Sequence, residues 1–95
     1  ESYAIAQNYP NPFNPVTTIE FDLAGPSVVS LTVYNLLGAE VASLIAGETL
    51  DAGAQSVDFD ASSFPSGVYL YRITALPSGE GLSRYSAVRK MVLLK

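Results

Sequence analysis

The sequence predicts an all-β protein, an antiparallel β-sandwich of about seven strands. Apolar residues recur with period two along nearly the whole chain. Clusters of Gly, Pro, Asn, Ser and Asp interrupt that alternation at regular intervals, and no segment carries a convincing amphipathic helical period. The 95 residues are 48% hydrophobic and 15% charged, which bounds the chain to one domain, residues 1–95, with one modest core.

The first distinctive element is Asn8-Tyr9-Pro10-Asn11-Pro12-Phe13-Asn14-Pro15. Each proline lacks an N–H and fixes φ, and each residue before a proline is pushed out of the helical region. Tyr9, Asn11 and Asn14 are therefore expected to be extended or in turns. The segment reads as a stiff lead-in to the sandwich, with Tyr9 and Phe13 burying their rings against it. Thr17 to Leu23 then alternates, with Ile19, Phe21 and Leu23 on one face and Thr18, Glu20 and Asp22 on the other. Ala24-Gly25-Pro26-Ser27 breaks it, and Val28 to Tyr34 resumes it with Val29, Leu31 and Val33 inward.

Asn35-Leu36-Leu37-Gly38 reads as a turn in which Asn and Gly supply the special φ values. Val41 to Ile45 is a weaker strand, and Gly47 to Gly53 a second turn region. Gln55 to Asp60 alternates again, burying Val57 and Phe59. Val68 to Leu76 is dense in Tyr, Val, Leu and Ile. Pro77 to Gly81 is a hairpin tip, and Leu82 to Leu94 a closing strand, bulged near Arg89 and Lys90.

Between the fourth and fifth of these runs lies a corner. Phe64-Pro65-Ser66-Gly67-Val68-Tyr69-Leu70-Tyr71 resembles the tyrosine corner of immunoglobulin-like and fibronectin type III-like sandwiches. Tyr69 is expected to send its hydroxyl back to upstream backbone. Tyr71, two positions on, is expected to place its ring in the core and its hydroxyl at the edge.

Chemistry is sparse. The chain has no His and no Cys, so Ser-His and Cys-His nucleophiles and His/Cys zinc sites are excluded. The pairs Glu20/Asp22 and Asp58/Asp60 read as the polar faces of strands. Asp51, Asp58 and Asp60 lie near loops but lack the spacing of a calcium loop. No cofactor is expected. A net charge of −4 argues against nucleic-acid binding. Tyr34, Tyr71 and Tyr85 are candidates for a sugar-stacking platform, which keeps a carbohydrate-binding module as one alternative and a passive spacer as another. The chain opens on Glu1 with no Met or signal peptide, as expected of a segment of a longer protein.

Taken together, the motifs resemble a known family. The block from Asn8 to Pro15 followed by Thr17-Thr18-Ile19 is similar to the opening of the C-terminal sorting domains (type A) of type IX secretion cargo. Val33-Tyr34-Asn35-Leu36-Leu37-Gly38 resembles the family's second block. Ala52-Gly53 and then Phe64 to Arg72 resemble its third, and Arg89-Lys90-Met91-Val92-Leu93-Leu94-Lys95 its closing strand. The same sandwich is similar to the Ig-like domain of the flagellar hook-capping protein.

The resemblance implies a non-catalytic module at the C-terminus of a larger secreted hydrolase or adhesin in Bacteroidetes-related bacteria. It implies recognition by the outer-membrane secretion machinery, a role for a sortase-like peptidase, attachment to cell-surface lipopolysaccharide, and a location at the cell surface. On this reading Arg89 to Lys95 carry the recognition signal, with Arg89, Lys90 and Lys95 forming a cationic tail. Asn8, Pro10, Asn11, Pro12, Phe13, Asn14, Pro15, Gly38, Gly67, Tyr69 and Tyr71 form the structural motif. The domain is expected to be a monomer.

Overall fold

Period-two alternation becomes seven strands: β1 (Ala4–Ile5), β2 (Val16–Leu23), β3 (Ser27–Tyr34), β4 (Glu40–Leu50), β5 (Gly53–Asp60), β6 (Gly67–Pro77) and β7 (Tyr85–Leu93). The computed structural model describes residues 2–79 and 83–95. The tip of the predicted Pro77–Gly81 hairpin and the predicted start at Leu82 fall partly or wholly outside the described residues. Two antiparallel sheets result, one of three strands in the order β1-β2-β5 and one of four in the order β4-β3-β6-β7.

The inward residues predicted on β2, β3 and β5 meet between the sheets and are joined there by side chains of β6 and β7. Ile19, Phe21 and Leu23 of β2 and Phe59 of β5 face Val29, Leu31 and Val33 of β3, Tyr69, Tyr71, Ile73 and Ala75 of β6, and Met91 and Leu93 of β7. Val57, predicted to be buried, is only half-buried because β5 lies at the edge of its sheet. Every buried side-chain polar atom among the described residues has a hydrogen-bond partner, as a low-dielectric interior requires.

Three local expectations are corrected. The turn region predicted from Gly47 to Gly53 narrows to Asp51 and Ala52, because β4 continues to Leu50 and β5 begins at Gly53. The glycine that suggested a turn accommodates an irregularity within the strand. Gly47 has φ of 64°, and the β3–β4 register shifts between Val29/Leu31, as an extra residue in one strand demands. Near Arg89 and Lys90 no bulge exists, because β6 and β7 pair without a break from Gly67↔Leu93 to Ala75↔Tyr85. In the β3–β4 turn only Gly38 takes a positive φ, 85°. Asn35 works through its side chain, whose Oδ1 accepts the N–H groups of Leu37 and Ala39, each at 3.0 Å.

The two sides of the sandwich differ. β1 and β7 are the edges on one side, β5 and β4 those on the other. The Asp51-Ala52 connection crosses from sheet to sheet on the β4/β5 side. The opening Asn/Pro block lies on the β1/β7 side.

Candidate functional site

The site is a clasp formed where the opening block meets the closing strand. Residues 7–13 run from the edge of β2 to the edge of β7. At one end Tyr9 bridges β2: its N–H donates to the Thr18 carbonyl at 3.0 Å, and its carbonyl accepts from Thr18 N–H at 2.9 Å. At the other, Phe13 N–H donates to the Val92 carbonyl at 2.9 Å and Leu94 N–H to the Phe13 carbonyl at 3.0 Å. Asn11 Oδ1 accepts Val92 N–H at 2.9 Å, and Gln7 Nε2 donates to the Lys90 carbonyl at 2.7 Å. Backbone groups that an edge strand would leave open are thereby satisfied.

Beneath the clasp lies Tyr71, fully buried on β6. Its hydroxyl donates to the Ala6 carbonyl and accepts Asn8 N–H, both at 2.8 Å. The hydroxyl, expected at the edge of the core, meets the N-terminal segment there. Burial pushes the Tyr71 phenol above its ordinary range, against the opposing effects of the Asn8 N–H and the Arg89 guanidinium. Asn8 is itself buried. Its Nδ2 donates to Thr17 Oγ1 at 3.0 Å and to the Pro10 carbonyl at 3.2 Å, while Thr17 Oγ1 donates to that same carbonyl at 2.8 Å. These bonds turn the chain at Pro10.

The two rings of the block part ways. Phe13 is 2% exposed and starts a run of aromatic contacts: Phe13–Phe59 at 6.2 Å, Phe59–Phe64 at 5.7 Å and Phe64–Tyr69 at 6.0 Å between ring centroids. Tyr9 is 80% exposed, so the expectation that it packs against the domain is overturned. Its backbone is committed to β2, and that pairing aims the side chain at solvent. Pro12 and Asn14 are exposed, and Pro15 is half-buried with its carbonyl accepting Ala61 N–H at 2.8 Å. The aromatic run ends at the tyrosine corner, where Tyr69 donates its hydroxyl to the Pro65 carbonyl at 2.7 Å, while Gly67 opens β6.

The closing residues are not a free cationic tail. Met91 and Leu93 are fully buried. Arg89 Nη2 donates to the Ile5 carbonyl at 3.2 Å. Lys95 Nζ donates to the carbonyls of Ser62 at 2.6 Å and Phe64 at 2.9 Å, which fastens the chain end to the tyrosine-corner loop. Lys90, Val92 and Leu94 keep solvent-facing surface. Sequence reasoning missed Gln7 and Thr17 as clasp residues. Thr17 gave a signal, since it has the inward parity of Ile19 and Phe21 yet is polar.

The three candidate platform tyrosines do not converge. Tyr71 is in the core, Tyr34 lies under the Arg72 guanidinium at 5.6 Å, and Tyr85 stacks on Tyr3 at 5.6 Å. No group of three carboxylates among the described residues could hold a metal ion.

A family model described as the secretion system C-terminal sorting domain matches residues 7–80, beginning at the first residue of the clasp. The chain belongs to the type IX secretion C-terminal sorting-domain family. Such a sorting domain is a non-catalytic signal module, marking proteins secreted across the outer membrane to the cell surface. Among solved structures, the sorting domain is similar to CopC from Methylosinus trichosporium OB3b, with 13% identity and a TM-score of 0.61 over 97% of this chain and 93% of that one. It is similar also to dimeric latent PorU from Porphyromonas gingivalis, with 19% identity and a TM-score of 0.64 over 99% of this chain and 10% of that one. These likenesses speak for the fold, an immunoglobulin-like sandwich. No curated protein matches the sorting domain in sequence.

Proposed function

We propose that the chain is a single portable domain that directs a larger secreted protein, a hydrolase or adhesin, to the type IX machinery and serves its attachment at the cell surface. The clasp supports this most directly. The opening and closing blocks, far apart in sequence, form one unit through Asn11, Phe13 and Val92. A receptor that grips this unit reads a folded domain rather than a linear tail. Lys90, Val92, Leu94 and the rim residues Asn11 and Pro12 offer the accessible surface, with Met91 and Leu93 holding the strand in place. The domain works as a monomer. A sortase-like peptidase and lipopolysaccharide attachment would act after export.

The test fuses the chain behind a periplasmic reporter in a bacterium that has the type IX system. The fused reporter should reach the surface, and Lys90→Glu should retain it in the periplasm. Lys90 is the informative position because its side chain is exposed. Removing Met91 to Lys95 would strip two fully buried residues and unfold the domain. Export unchanged by Lys90→Glu in a folded domain would remove the closing strand from the recognition surface.

A further inference from the structure

The four edge positions of the two sheets are treated differently. The clasp covers β7 at its C-terminal end, from Lys90 onward. β1 is only two residues long, and β4 is broken by three register shifts against β3. Both of the latter devices discourage pairing with another chain. β5 has none of them. Its eight residues pair with β2 without a break from Gly53↔Leu23 to Asp60↔Val16.

The orientation of its free backbone groups follows from the neighbours. Thr18 gives both N–H and carbonyl to Tyr9, on the side of β2 away from β5. Its partner Asp58 therefore turns its own N–H and carbonyl away from β2, and period two extends this to Ala54, Ser56 and Asp60. These groups make no backbone hydrogen bond to another element among the described residues. The sheet behind them is acidic. Glu20, Asp22, Asp58 and Asp60 are exposed on its outer face, and its strands contain no Lys or Arg.

We infer that the β5 edge is a strand-addition site for an extended partner segment carrying Lys or Arg at alternate positions. Main-chain bonds to Ala54, Ser56, Asp58 and Asp60 give the register. Alternate basic side chains then lie on the outer face, in the cross-strand positions beside Asp58 and Asp60. Self-pairing of two β5 edges is disfavoured, because it joins two acidic faces of a chain with net charge −4. The inference rests on the reading of the domain as one handed to a partner protein, but its test measures the edge alone.

The probe is a strand-length peptide alternating Lys and Val, titrated into the full chain and followed by amide NMR, with a Glu-Val peptide as control. The Lys-Val peptide should shift the amides of residues 53–60 and bind more weakly as salt is raised. The Glu-Val peptide should leave them unmoved. Ser56→Pro removes an N–H that β2 does not use, and should weaken binding at least about tenfold. Should that variant fail to fold, Ser56→Lys places an opposing charge on the exposed face and should have the same effect. Shifts outside β5, equal binding of both peptides, or self-association through β5 would each overturn the inference. Reporter export that persists while the peptide fails to bind would defeat it and leave the sorting reading intact.

Discussion

The side-chain oxygen of Asn11 accepts the main-chain N–H of Val92 at 2.9 Å, across 81 positions of sequence. An amide side chain thus does at the rim of the sandwich what a neighbouring strand does elsewhere. Phe13 completes the arrangement by pairing in parallel with Leu93 one residue further along.

Asn11→Ala should cost about 0.5–1.5 kcal/mol of stability, the usual worth of one hydrogen bond. Urea denaturation measures the loss. Hydrogen exchange at Val92 should quicken in the same variant, and unchanged protection there would show that the bond does not hold the strand.

Tyr71→Phe should cost about 1–3 kcal/mol, because it leaves the Ala6 carbonyl and Asn8 N–H without their buried partner. The phenol also predicts a pH dependence. Its folded pKa is raised by burial, so the unfolded chain releases this proton first as pH rises. The Tyr71 contribution is therefore complete below an unfolded pKa of about 10 and is lost as pH climbs through the folded value. Stability curves should converge for wild type and Tyr71→Phe on the alkaline limb, and parallel curves there would contradict the assignment.

The two rings of the Asn/Pro block should respond in opposite ways. Phe13→Ala empties a core position and should cost about 3–5 kcal/mol. Tyr9→Ala changes an exposed ring and should stay within about 0.5 kcal/mol. Thermal melts of the pair decide this, and equal losses would mean that both rings pack.

Asp60 Oδ1 accepts Ser62 N–H at 2.9 Å, and that bond holds the carboxyl below its ordinary pKa. With the folded pKa depressed, the contribution is present above the unfolded pKa and disappears as pH falls through the folded one. Asp60→Asn should flatten the acid limb of the stability curve relative to wild type.

Gly38→Ala should cost about 1 kcal/mol or more, because φ of 85° is adverse for any residue with a Cβ. Space is not the cause, since nothing lies within 4 Å of the added atom. Gly38→Asn should recover part of the loss in the same denaturation assay.

The sequence by itself determined the sandwich, most strand positions, the tyrosine corner and the family. Those features are written locally: alternation such as Ile19-Phe21-Leu23 selects a face, and Phe64-Pro65-Ser66-Gly67 turns the chain wherever it lies. It also singled out Asn8 to Pro15 and Arg89 to Lys95, but as separate signals. Only the tertiary structure decided that the two pack as one hydrogen-bonded unit, that Tyr71 anchors it, and that Lys95 is fastened to Ser62 and Phe64. It also decided that β4 runs on through Gly47, where local composition suggested a turn. A hydrogen bond between residues 11 and 92 leaves no periodicity in either segment. It exists because β1 and β7 end on the same side of the sandwich, where an open strand edge must find donors and acceptors.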